Sequence, residues 1–125
     1  MFQSILQVAL GGAVGAVLRY LTNVGAKQAF GPGYPYGTLI VNIVGSFLMG
    51  FLVVYLARKG GNHLAPFLMT GVLGGFTTFS AFSLDTLTIW ERGDHALAVA
   101  YVAASVGLSL VAIAAAMHLF RGAFA

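Results

Sequence analysis

Long apolar stretches alternate with short polar or glycine-rich segments along nearly the whole chain. The first covers residues 5–22, the second residues 37–57 and the fourth residues 96–120, while the third begins after a turn at residues 60–62 and closes at Glu91. A membrane span needs about 20 mainly apolar residues, and each stretch meets or approaches that length. The pattern therefore predicts an all-α membrane protein with four transmembrane helices.

The third apolar stretch contains a run that a continuous buried helix should avoid. Residues 71–83 place three glycines in five residues and then four hydroxyl side chains in seven. Glycine lowers helix propensity, and hydroxyl groups compete for backbone hydrogen bonds. We therefore expect the third helix to be broken between Gly74 and Ser80. Broken backbone inside a bilayer survives only beside protein or a water-filled cavity, so such breaks often mark ion or substrate sites.

Composition supports the membrane assignment and narrows the chemistry. The chain is 59% hydrophobic and only 7% charged, against about 25% charged residues in a soluble domain. Its 125 residues suffice for one four-helix transmembrane domain spanning 1–125. The sequence has no cysteine and three scattered histidines, which excludes disulfides and the usual zinc arrangements. The few positive charges lie near predicted helix ends, which indicates contact with lipid head groups and no nucleic-acid binding.

Two of the predicted helices carry polar side chains at four-residue spacing: Thr38, Asn42 and Ser46 on the second, and Tyr101, Ser105 and Ser109 on the fourth. Residues four apart share one face of a helix. Small polar residues in membrane helices often serve only as packing contacts, so the spacing alone leaves both packing and an ion path open.

Two charged residues, Arg19 and Asp85, lie inside the apolar stretches. Arg19 is predicted near one end of the first span, within reach of the head groups, and residues 27–36 after that span have the composition of a loop. There its side chain either extends to the head groups or faces a pore mouth. Asp85 is expected to be paired or to make a cap-like contact, since an isolated carboxylate in hydrocarbon is costly.

Lysine and arginine residues are nearly balanced between the two predicted sides of the membrane. One side carries Arg58, Lys59 and Arg121, and the other carries Lys27, Arg92 and, if it lies at the end of its span, Arg19. Orientation follows this asymmetry, so the balance predicts insertion in both directions. Gly11 and Gly15 form a close-packing face on the first span. Together these features predict an antiparallel, dual-topology homodimer.

Three motifs, in order, resemble the CrcB/Fluc family of fluoride channels over nearly the whole chain: GGAVGAVLRY at residues 11–20, GTLIVNIVGS at 37–46 and GGFTTFSAFS at 74–83. The resemblance implies an antiparallel homodimer in the bacterial plasma (inner) membrane. It also implies two separate pores that export fluoride passively from the cytoplasm, and a structural sodium ion (Na⁺) at the dimer interface.

The resemblance also implies roles for particular residues. Asn42 donates a hydrogen bond to the anion, and Phe79 and Phe82 present the positive edges of their rings to it. The hydroxyl-lined track and the arginine of the vestibule correspond to Thr38, Tyr101, Ser105, Ser109 and Arg19. The main-chain carbonyls of Gly74 and Thr77 correspond to the sodium ligands. Relatives often carry Glu where this chain has Asp85, so Asp85 is given no role.

Other functions are less well supported by the residues. A small four-helix multidrug exporter has a similar length, but such proteins carry an intramembrane glutamate on the first span, where this chain has Arg19 and no acid. A tetraspan assembly or regulatory protein would explain the packing glycines but not the aligned hydroxyls. No nucleophile–base pair stands out, and residues 71–75 lack the Lys-Ser/Thr of a phosphate-binding loop, so we predict that the chain is not an enzyme.

Overall fold

A computed structural model describes residues 1–60 and 62–124. It contains α1 (Phe2–Phe30), α2 (Tyr36–Lys59), a short 3₁₀ turn (Asn62–Leu64), α3 (Pro66–Leu73 continued by Gly74–Phe76), α4 (Ser80–Glu91) and α5 (His95–Ala123). Four segments are long and apolar enough to cross a membrane: α1, α2, the interrupted stretch Asn62–Glu91, and α5. The predicted all-α fold with four membrane-length helices is confirmed. Gly61, in the predicted turn, lies outside the described residues.

The first helix is longer than predicted. It continues past Thr22 to Phe30 and ends where Gly31 takes a positive φ of 83° and donates its N–H to the Lys27 oxygen. No proline interrupts the polar turns before that point, so they stay helical beyond the apolar stretch. The loop is correspondingly shorter than residues 27–36. Arg19 therefore lies well inside α1, while its predicted place near one end of the membrane span stays a prediction.

The predicted break in the third span is present. Pro66–Leu73 is wound as a π-helix and Gly74–Phe76 adds one α-helical turn. Thr77 is extended, with φ −87° and ψ 161°, and regular helix resumes only at Ser80. The break thus covers residues 77–79, within the predicted interval.

Glycines bring α1 and α3 into close contact. A Cβ atom on Gly15 would collide with the Val72 oxygen, and one on Gly75 would lie 2.6 Å from the Gly12 oxygen. Likewise, a Cβ on Gly50 of α2 would lie 2.7 Å from a backbone oxygen of α5. These close-packing faces are occupied within one protomer. They therefore give no support to the predicted homodimer, which stays a prediction.

The core lies around Tyr101, which is fully buried on α5. Phe82 and Ile89 of α4 pack with it, together with Ala98 of α5. The ring of Tyr34, in the α1–α2 loop, meets the Tyr101 ring edge-on at 5.5 Å between centroids. This packing fixes α4 against α5 directly after the break.

Candidate functional site

The break is held by the side chain of Asn42, which projects from α2. The Thr78 N–H donates to Asn42 Oδ1 at 2.8 Å, and Asn42 Nδ2 donates to the Thr78 carbonyl oxygen at 3.0 Å. One amide side chain therefore satisfies both backbone groups of a residue 36 positions away. In a medium without water this replaces the two hydrogen bonds that the break removes from Thr78.

The same contacts release two carbonyl oxygens. In a continuous α-helix the Thr78 N–H would donate to the Gly74 oxygen and the Ala81 N–H to the Thr77 oxygen. Here the Thr78 N–H donates to Asn42, and the Ala81 N–H donates to Thr78 Oγ1 at 3.1 Å. Gly74 and Thr77 thus lose their regular helical donors, and Gly74 is exposed on the protomer surface.

Main-chain oxygens are suitable ligands for a hard cation. Within residues 1–60 and 62–124, no group of three His, Cys, Asp or Glu side chains is placed to hold a metal ion. A cation at the break would therefore depend on backbone carbonyls. The released carbonyls of Gly74 and Thr77 are oxygen donors of the kind required by the sodium site that the family resemblance implies, and that site stays a prediction.

Arg19 also reaches the break. Its Nε donates to the Gly75 carbonyl oxygen at 3.0 Å, linking α1 to the C-terminal end of α3. A cation is favourable there because the end of a helix carries partial negative charge. Arg19 is not among the residues that line the two cavities of this region. It therefore lies next to the other predicted pore residues but outside the cavities that they line.

An open groove of about 360 Å³, here called the central groove, lies beside the break. Five of the predicted pore residues line it: Asn42, Phe79, Phe82, Ser105 and Ser109. Ser105 is only 5% exposed. Within the described part of the chain, the hydroxyl oxygens of Ser105 and Ser109 are buried without a hydrogen-bond partner. Because a buried hydroxyl without a partner costs about 1–3 kcal/mol, these two groups are suited to bind something that enters the groove.

Aromatic rings border the groove near the break. The Phe79 and Phe82 centroids are 5.4 Å apart with the rings tilted by 56°, and Phe82 lies 5.4 Å from Tyr101. Phe82 is 8% exposed, whereas Phe79 is 76% exposed. The predicted pair is therefore adjacent, but one ring is packed in the core and the other projects from the protomer.

Thr38 and Tyr101 lie beyond Phe82, away from the central groove. Thr38 lines a second cavity of about 340 Å³, here called the outer cavity, together with Lys27, Asp85 and Arg92. The Tyr101 hydroxyl donates to Asp85 Oδ2 at 3.2 Å. The predicted hydroxyl track is thus divided into two open parts, with the buried Tyr101 between them.

The outer cavity is lined by charged groups of both signs, the cations Lys27 and Arg92 and the carboxylate of Asp85. Arg92 is paired with Asp94 at 2.9 Å. Burial, and next the neighbouring Tyr36, raise the pKa of the Tyr34 phenol above its usual value. Tyr34 therefore stays neutral and protonated well above neutral pH, so the cavity wall keeps a hydrogen-bond donor there.

Sequence reasoning gave no role to two residues that the structure places at the site. Asp85 was expected only to be paired, and it joins Tyr101 to the outer cavity. Its position three residues after Phe82 was the available signal. Thr78 was one of four hydroxyls in the broken run, and spacing could not show that its backbone pairs with Asn42.

Comparison with known proteins identifies the family. Residues 6–117 match the family model described as "CrcB-like protein, Camphor Resistance (CrcB)". A protein of Cereibacter sphaeroides is 67% identical over 98% of both chains, and one of Paracoccus denitrificans is 58% identical over the full length of both. A third, from Mesorhizobium japonicum, is 50% identical over 94% of this chain and 96% of its own.

All three relatives carry the name "Fluoride-specific ion channel FluC". The names describe channels, which agrees with the prediction that the chain is not an enzyme. The resemblance found in the three sequence motifs is confirmed over the whole chain, and the chain belongs to the CrcB family.

Proposed function

We propose that this chain is a fluoride-specific ion channel that lets fluoride leave the bacterial cytoplasm passively across the plasma membrane and so confers fluoride resistance. The observation that carries the proposal is the central groove, which is lined by the helix break and by Ser105 and Ser109, whose hydroxyls are buried without a partner among the described residues. The names of the relatives supply the identity of the ion.

Neutral dipoles suit fluoride because conduction requires binding that replaces water yet permits release. A fixed positive charge in the groove would hold the anion too strongly. Asn42 uses one N–H of its amide for the Thr78 oxygen, and Nδ2 carries a second N–H that can donate to an anion. The positive ring edges of Phe79 and Phe82 offer a further weak attraction.

The proposed path leads from the central groove, past Phe82 and Tyr101, to the outer cavity. Ser105 and Ser109 bind the ion on the groove side, and Thr38 does so on the cavity side. Asp85 accepts from the Tyr101 hydroxyl, which orients that hydroxyl. Lys27 at the cavity rim attracts anions from solution.

We further propose that two copies assemble antiparallel and form two pores. Phe79 is 76% exposed and the central groove is open on one side, so a second copy would complete its wall. A sodium ion between the copies would be held by the Gly74 and Thr77 carbonyls of both. The ion would have a structural role, because its charge would offset the partial negative charge of the released oxygens.

Purified protein in liposomes loaded with potassium fluoride tests the function. With valinomycin to balance charge, and without proton or sodium gradients, we expect rapid fluoride release at a fluoride electrode. Protein-free liposomes are the control. Release that requires a proton gradient would contradict a passive channel.

A further inference from the structure

We propose that Asn42 is also a positioning residue: its amide keeps the helix break open so that the Gly74 and Thr77 carbonyls remain available to a sodium ion. This inference rests on the sodium site proposed above, and it assigns Asn42 a second task besides lining the groove. It links the wall of the anion path to the cation site through one side chain.

The Gly74 oxygen and Asn42 Oδ1 compete for one backbone donor. The Thr78 N–H can donate well to the Gly74 oxygen in a closed helix or to Asn42 Oδ1 in the broken one, and here it donates to Asn42 at 2.8 Å. A carbonyl that already accepts a backbone hydrogen bond offers less to a cation. The side chain on α2 therefore determines whether the Gly74 oxygen is free.

The second contact of Asn42 makes the open state stable. Its Nδ2 satisfies the Thr78 oxygen, which would otherwise be left without its helical donor. An unsatisfied backbone group inside a bilayer costs several kcal/mol. Truncating Asn42 therefore favours closing the helix, which returns the Thr78 N–H to Gly74.

The Thr78 side chain likewise keeps a carbonyl oxygen free in the next turn, that of Thr77. Its Oγ1 accepts from the Ala81 N–H at 3.1 Å, which withdraws that donor from the Thr77 oxygen. Removing this hydroxyl leaves Asn42 in place, so it is a milder change at the second proposed ligand. Serine at this position would keep the acceptor.

The test compares variants of the full-length protein by sodium titration at constant ionic strength, with potassium replacing sodium. Two quantities are measured: the thermal unfolding midpoint in detergent and the fluoride efflux from liposomes. We expect sodium to raise the wild-type midpoint. For Asn42→Ala, we expect the half-maximal sodium concentration to increase at least about tenfold in both measurements.

Three further variants complete the design. Thr78→Val should shift the sodium dependence in the same direction by a smaller factor, and Thr78→Ser should restore it. Thr22→Val removes a hydroxyl that donates to the Leu18 carbonyl oxygen of its own helix at 2.8 Å, and should behave as wild type. If Asn42→Ala does not fold, the Thr78→Val and Thr78→Ser pair decides the outcome.

A role of Asn42 limited to contacting the anion makes a different prediction. Flux would fall in Asn42→Ala while the sodium dependence of unfolding stayed unchanged, and that result would overturn the inference. A wild-type protein that sodium does not stabilise would contradict both this inference and the sodium site. Wild-type stabilisation and the expected shifts without any fluoride flux would contradict the channel function alone.

Discussion

Uncharged side chains dominate the contacts that an ion would meet in the central groove. Ser105 and Ser109 have buried hydroxyls without partners in the described residues, and Asn42 has a second amide N–H beyond the one given to Thr78. The cation Arg19 is engaged with the Gly75 oxygen. At the scale of single residues, the groove therefore offers donors without a fixed charge in its wall.

Replacing Asn42 by aspartate tests this arrangement. The change removes the amide donor and adds a carboxylate beside the groove, which repels an anion. We expect fluoride efflux to fall more than about tenfold, since ~1.4 kcal/mol of additional barrier already has that effect. Efflux from liposomes measures it, with Thr22→Val as the matched control. Wild-type flux in the aspartate variant would show that Asn42 does not border the path.

The serine hydroxyls should matter for flux more than for stability. Ser105→Ala and Ser109→Ala each remove a buried hydroxyl that has no hydrogen-bond partner among the described residues, so we expect the free energy of unfolding to stay the same or to rise, by up to about 1–3 kcal/mol. Fluoride efflux should nevertheless fall, most in the double variant. Ser4→Ala, on the exposed first turn of α1, is the control. Strong destabilisation with normal flux would indicate a packing role instead.

At the scale of helices, the close packing of α1 on α3 and the break in the third span together bring the groups of the site into contact. Glycines let α1 approach α3, which brings Arg19 to the Gly75 oxygen. The break then places Thr78 against α2. The glycine and hydroxyl content of residues 71–83 was sufficient to predict this interruption, because propensity is a local property.

Other features of the helices could not be predicted locally. The pairing of Asn42 with Thr78 joins residues 36 positions apart, and four-residue spacing identified the face of Asn42 but not its partner. The end of α1 was missed because polar turns outside the apolar core remain helical until Gly31. The spacing of Tyr101, Ser105 and Ser109 did place three hydroxyls on one side of α5, but only two of them line the groove.

Close approach of α1 and α3 predicts a difference between neighbouring glycines. A Cβ on Gly15 would collide with the Val72 oxygen, whereas one on Gly12 meets nothing within 4 Å. Gly15→Ala should therefore destabilise the protein by about 1–3 kcal/mol through overpacking, and Gly12→Ala should be tolerated. Thermal unfolding in detergent compares them. Equal effects would contradict the described packing.

At the scale of the whole molecule, the distribution of charge determines insertion. With Arg19 inside α1, the helix ends carry Arg58, Lys59 and Arg121 on one side and Lys27 and Arg92 on the other. This near balance supports the predicted dual topology. The glycine faces that had suggested a dimer are occupied within the chain, so the proposed assembly is supported instead by the open groove and the exposed Phe79 ring.

Two variants with opposite bias test the antiparallel dimer. The double variant Lys59→Gln, Arg121→Gln leaves one positive residue on the side of Arg58 against two on the side of Lys27. Asn62→Lys gives four on the side of Arg58 against the same two. We expect each to insert mainly in one orientation, and to be deficient in flux when expressed alone because antiparallel pairs cannot form. Coexpression should restore activity. Full activity of a protein shown by tag accessibility to have a single orientation would exclude this assembly.

The central claim is that uncharged dipoles beside a helix break conduct fluoride selectively. Parallel efflux measurements from liposomes loaded with equal concentrations of fluoride and chloride test it most directly. The account predicts rapid fluoride release while chloride remains at the level of protein-free liposomes. Comparable release of both anions would contradict it.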